Sequence, residues 1–196
     1  MGQILQYGLL PADLIFTHSD RTLGKLIQWA ERASHEIPTY ANHVAIINEN
    51  LSVVEALNHV KCTPWPEWVG NSDNFQIWRL KSLNPVLRNQ ICVKANSYIG
   101  RDYGYLKLLA HFGDGLFRKL FDKEVYFFRR LAFMDKYPIC SWVASFAYAS
   151  AGIKFGCAPE FADPDMMCDF VQGQKQWSKV SELFKSEFES WNNLDK

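Results

Sequence analysis

The chain carries no surplus of charge: 21 Lys and Arg balance 21 Asp and Glu across 196 residues. A net charge of zero gives no overall attraction to a polyanion, so nucleic acid is not an expected partner. Paired cysteines are also missing. Cys62, Cys92, Cys140, Cys157 and Cys168 form no C-x-x-C pair, and no histidine cluster lies near them at zinc-finger spacing. Neither a disulfide framework nor a structural zinc site is expected, and no metal or other cofactor is assigned. The N-terminus lacks the basic start, apolar run and small-residue cleavage site of a signal peptide. Gln6 stands where a myristoylation signal beginning at Gly2 wants Ser or Thr. These absences predict a reducing, cytoplasmic setting. Long hydrophobic runs are lacking too. The longest uncharged stretch, Tyr137 to Ile153, has 17 residues, at the lower limit for a membrane span. It contains Pro138, Ser141, Ser145 and Ser150, which suit a buried helix better. There is no internal repeat and no low-complexity tract.

What is present is the composition of a globular protein, 48% apolar and 15% aromatic. The length fits one domain, residues 1–196, with room for an insertion. Leu14-Ile15-Phe16 reads as a strand after the Pro11-Ala12-Asp13 break, and Thr22 to Arg32 as a helix. Asn42 to Leu57 reads as two strands around Asn48-Glu49-Asn50, and Phe75 to Leu80 alternates as a strand. Pro64-Trp65-Pro66 reads as the start of a loop that Trp65 and Trp68 pack. Pro85 to Ile99 is a predicted helix, with Gly100 at its C-terminal cap. Ile139 to Ala151 is a second, ended by Gly152, and Trp177 to Trp191 is expected to be partly helical. Residues 105–137 are rich in aromatic and basic side chains around Gly113-Asp114-Gly115 and read as a helical insertion before the Cys140 helix. The class is α+β.

His43, Glu55 and Cys140 are the candidate chemistry. If Asn48-Glu49-Asn50 is a three-residue loop, Ile47 faces Leu51 and His43 lies directly across from Glu55. Directly opposed side chains have Cβ atoms about 5 Å apart, within reach of a carboxylate–imidazole bond. A slip of one residue would send the two to opposite faces. A carboxylate so placed fixes the imidazole tautomer and stabilises imidazolium. Cys140 begins an apolar helix, where unpaired N–H groups and the helix dipole favour thiolate and can receive an oxyanion. Together these would make a nucleophilic Cys-His-Glu site. The plainer alternatives are an inert core thiol and a half-exposed strand histidine. Glu55, between Val54 and Ala56, is harder to read as plain, because an unpaired carboxylate in an apolar strand is costly.

The order His, Glu, Cys resembles the circularly permuted NlpC-type cysteine peptidases, the YiiX-like branch of the papain-like fold. That family's "GDLIF", "SHVGI", "VVEA" and "CSELV…A…AG" segments are similar to Ala12-Asp13-Leu14-Ile15-Phe16, Asn42-His43-Val44-Ala45-Ile46, Val53-Val54-Glu55-Ala56 and Cys140-Ser141-Trp142-Val143-Ala144 through Ala151-Gly152. Gly24 to Trp29 is similar to the family's first helix, and Ser97 to Tyr103 to its "YxGxxY" segment. Asp163-Pro164-Asp165-Met166-Met167 is similar to a "TPGDL" element after the cysteine helix. The resemblance spans about Asp13 to Met167. It implies a permuted papain-like fold, an antiparallel sheet packed on helices, with Cys140 as nucleophile, His43 as base and Glu55 as orienting acid. It also implies that the Tyr103 hydroxyl helps to bind substrate or oxyanion. Two positions depart from the family: Ala12 replaces a glycine, and Trp142 replaces the glutamate two residues after the nucleophile.

The activity implied is hydrolysis of amide bonds, in peptides or acyl amides, with cell-wall peptides as one substrate class. A lipid-directed thioesterase or acyltransferase using the same triad is the alternative, motivated by the aromatics of 105–137, through which membrane contact is open but not favoured. A binding module with a decayed triad is the second alternative. Oligomeric state is left open. The remaining histidines and cysteines read as structural or surface groups.

Overall fold

The computed structural model describes residues 8–18, 41–72, 74–102 and 138–183. The helix expected over Thr22 to Arg32, the insertion at 105–137, Tyr103 and the chain beyond 183 lie outside them. Six strands form one sheet: β1 (Leu14–His18), β2 (His43–Ile47), β3 (Ser52–Ala56), β4 (Val60–Pro64), β5 (Asn74–Leu80) and β6 (Trp177–Leu183). Their order is β4-β3-β2-β1-β5-β6 and every pair is antiparallel. Four α-helices accompany the sheet among the described residues: α1 (Trp65–Asn71), α2 (Pro85–Asn96), α3 (Cys140–Ser150) and α4 (Pro164–Gly173).

Strand alternation divides the interior in two. Leu14, Phe16, Val44, Ile46, Val54 and Ala56 point into the larger core, which α2, α3 and α4 cover. Ile15, Ala45, Ile47, Val53, Phe75 and Ile77 point the other way, onto Trp65, Trp68 and Val69 of α1. With both faces covered, the central strands carry apolar side chains on successive residues, as β2 does throughout Val44–Ile47. The covering helix α3 is apolar almost all round and is buried from Cys140 to Ser145.

Local chemistry sets the helix ends. Asn84 and Asp163 cap α2 and α4 by accepting from the backbone N–H of Leu87 and Met166, each followed by a proline at the first helical position. Gly152 follows α3 with φ +77°, and the Ile153 N–H closes on the Tyr148 carbonyl.

Several expectations are corrected. The segment after Pro64 is the helix α1, since a proline within the first helical turn removes no needed donor. Trp177–Leu183 is a strand, drawn onto the β5 edge by its ladder. The α2 helix ends at Asn96, and Gly100, at φ +84°, instead turns the chain so that its N–H meets the Val60 carbonyl. The connection between paired residues of β2 and β3 is two residues longer than expected: Ile47 pairs with Val53 and Ile46 with Val54, and the Asn48 side chain accepts from the Asn50 and Ser52 N–H groups to hold the turn.

Candidate active site

The longer loop moves the hairpin register by two residues, so Glu55 stands diagonal to His43 rather than directly across. A shift of two preserves the face, whereas a shift of one would have reversed it. Diagonal neighbours on one face stay within reach of long side chains. His43 Nε2 lies 3.1 Å from Glu55 Oε2, with the imidazole 15% and the carboxylate 6% exposed. That contact occupies Nε2 and leaves Nδ1 as the nitrogen able to meet a nucleophile.

The nucleophile candidate comes from the other side of the sheet. Cys140 is the first residue of α3, buried in the larger core, and no side chain caps that helix end. Its sulfur meets the chain at the very start of β2. There it accepts hydrogen bonds from the backbone N–H of Val44 and of Ser141, and it lies within charge and hydrogen-bonding reach of the His43 ring. Three of the four residues expected in the site are thus together. Tyr103 lies outside the described residues.

Each group alters the ionisation of the next. Burial by itself would push the His43 imidazole down, but the charge and hydrogen bond of Cys140, then those of Glu55, lift it to about 10. Burial opposes ionisation of the Cys140 thiol, yet the His43 charge and hydrogen bond and the two backbone N–H groups outweigh it and lower the thiol below its ordinary value. Burial would raise Glu55, and the His43 bond and charge, a hydrogen bond from the Trp68 side chain and the charge of Lys61 bring it down to about 2. The contrast with the other interior thiols is sharp. Burial pushes Cys92 up to about 11 and Cys168 up to about 12, outweighing the charges of Arg88 and Lys179 that favour the thiolate. Position beside His43, and not burial, sets Cys140 apart.

Two groups at the site escape the sequence reading. Lys61 on β4 is directly opposite Glu55, its Nζ 3.2 Å from Oε1. Trp68, expected to pack a loop, hydrogen-bonds Glu55 while stacking on Trp65 at 5.7 Å between ring centroids. The available signal was the alternation Val60-Lys61-Cys62-Thr63 after a turn at Leu57-Asn58-His59, which marks β4 as a third hairpin strand. A cavity of about 240 Å³ opens beside His43 and Glu55, with Thr17, His18, Lys61 and Glu67 among its walls.

No protein-family model matches the chain, and no curated protein does. Among solved structures, the chain is similar to the crystal structure of the metalloprotein yiiX from Escherichia coli O157:H7. The TM-score is 0.57 at 17% identity, over 89% of this chain and 97% of that one. The likeness is one of fold. Metal binding is a property stated for that protein. Here, among the described residues, no three His, Cys, Asp or Glu side chains group as a ligand set, and both Glu55 oxygens are already engaged by His43 and Lys61. The described residues therefore do not fit a metal centre. Among them, too, no helix is long and apolar enough to cross a membrane.

Proposed function

We propose that the protein is a cysteine-dependent hydrolase of amide bonds, using Cys140, His43 and Glu55, in a papain-like arrangement permuted so that the base and acid strands precede the nucleophile helix. The observation that carries this reading is a helix-start thiol meeting an imidazole whose far nitrogen is held by a carboxylate at 3.1 Å. An unactivated thiol or an unoriented imidazole would lack one half of that arrangement.

The Cys140 thiolate attacks the carbonyl carbon of the substrate amide, and the carbonyl electrons move onto oxygen. The N-terminal N–H groups of α3, which no side chain caps, would donate to that oxyanion. Collapse expels the amine, which takes its proton from the His43 imidazolium, and leaves an acyl thioester on Cys140. Neutral His43 then removes a proton from water as the water adds to the thioester. The second collapse releases the acid and returns the thiolate–imidazolium pair. Glu55 stays ionised and holds the ring. Tyr103 is proposed to help bind substrate or oxyanion.

Peptide amides, muropeptides and labelled phospholipids assayed side by side test the reading. Turnover is expected on an amide class, and Cys140→Ala is expected to lower it by at least about a thousandfold while the variant stays folded. An amide turnover that survives Cys140→Ala overturns the assignment. Acyl transfer from phospholipid without amide cleavage would move the same triad to the lipid-directed reading.

A further inference from the structure

The Glu55 carboxylate has its two oxygens divided between different partners: His43 on Oε2 at 3.1 Å and Lys61 on Oε1 at 3.2 Å. Lys61 sits directly across the β3–β4 ladder and is 39% exposed at the cavity wall, while the carboxylate beneath it is 6% exposed. Trp68 donates to the same carboxylate from α1. Among the described residues, the other ionisable groups facing this cluster are His18 and Glu67 on the cavity wall and Cys140 beyond the imidazole.

We propose that Lys61 is a positioning residue for the triad: its ammonium pins the outer oxygen of Glu55, which fixes the carboxylate rotamer and keeps the inner oxygen on His43. The terminal torsion of a glutamate is broad and roughly two-fold, so a carboxylate held at one oxygen alone can turn. Once it turns, the imidazole loses the partner that aims its free nitrogen at the Cys140 sulfur. The inference rests on the Cys-His-Glu reading. A plain cross-strand ion pair would instead contribute to stability alone and leave the thiol unaffected, which makes the two roles separable.

Iodoacetamide alkylation of the full chain across pH, followed at Cys140 by peptide mass spectrometry, distinguishes them. The peptide readout keeps the exposed Cys62 from contributing. In the unsubstituted protein Cys140 is expected to titrate below the free-thiol value of about 8.5. Lys61→Met is expected to raise that midpoint by about half a pH unit or more, because it removes the contact that keeps the Glu55 carboxylate on His43. Lys61→Arg, which restores a cation, is expected to return it. Lys61→Gln serves the same comparison if the methionine variant fails to fold. A midpoint unmoved by Lys61→Met or Lys61→Gln, with Glu55→Gln still raising it, overturns the role of Lys61 and leaves the triad standing. A midpoint near 8.5 in the unsubstituted protein that Glu55→Gln does not move overturns both.

Discussion

At the residue scale, His43 links two groups that both prefer it charged, so the proposed triad favours a thiolate–imidazolium pair over the neutral thiol and imidazole. For the hydrolase proposed above, activity is expected to fall on the acid side as the Cys140 thiolate is protonated, and on the alkaline side as His43 loses its proton, near 10. Glu55→Gln removes the negative charge that favours imidazolium, so the alkaline limb of a kcat/KM profile is expected to move to lower pH. A limb that stays in place would separate Glu55 from the chemistry. The same group links to stability with a definite sign. Its folded value lies below its ordinary 4.5, at about 2, so its contribution is complete above pH 4.5 and is lost as the pH falls towards 2. Thermal unfolding of the Glu55→Gln variant is accordingly expected to depend less steeply on pH across that window. The meeting of His43 with Glu55 was legible in the sequence because face depends only on whether the register shift is odd or even. The actual loop, closed by the Asn48 side chain, changed the register by two and kept the face.

At the scale of elements, legibility followed how locally each one is determined. The helix α2, with Asn84 before Pro85, and the helix α3, closed by Gly152, carry their signals in adjacent residues. The strand β6 does not. Trp177, Val180 and Leu183 recur at helical spacing, yet Trp177 packs into one core and Val180 against the other. Pairing with β5, about a hundred residues earlier, decides the matter. The entry to β1 shows a local feature that composition hides. Ala12 is fully buried with φ +65°, and the Tyr148 hydroxyl donates to its carbonyl. The left-handed conformation costs a non-glycine residue about 1–2 kcal/mol. Replacing Ala12 with glycine would relieve that cost but lose about 0.8 kcal/mol of methyl burial. It would also free the unfolded chain by about 0.4–1 kcal/mol. Ala12→Gly is therefore expected to be near neutral. Ala12→Val, adding β-branching and volume where neither fits, is expected to lose about 2 kcal/mol or more in urea unfolding. A valine variant as stable as the parent would contradict the backbone assigned here.

At the scale of the whole molecule, one buried carboxylate joins parts of the chain that are far apart in sequence and that together frame the sheet. Asp13 is 0% exposed, and Arg79 of β5 approaches it with two nitrogens, Nε at 2.8 Å and Nη2 at 2.6 Å. Arg88 of α2 adds a third cationic contact at 3.7 Å, and the Leu10 N–H donates to the same carboxylate at 2.9 Å. Both guanidinium groups also donate to backbone carbonyls of the entry segment, Arg79 to Gly8 and Arg88 to Pro11. This network holds the N-terminal turn against a strand and a helix that arrive more than sixty residues later. Composition shows only that acids and bases balance. Which acid is buried between two arginines depends on the folded sheet order, with β1 beside β5. Asp13→Ala would leave two guanidinium groups facing each other with their shared anion gone. Breaking a buried pair on one side costs about 3–5 kcal/mol, far beyond the worth of a surface ion pair. The loss is expected at the lower end of that range, about 3 kcal/mol, because Arg79 is 20% exposed and can be partly rehydrated. Urea unfolding followed by tryptophan fluorescence measures it. A single shifted transition is the expected form, since the carboxylate joins the β1 entry, β5 and α2. An early transition confined to the N-terminal turn, with the main midpoint unchanged, would show that Asp13 anchors only that turn.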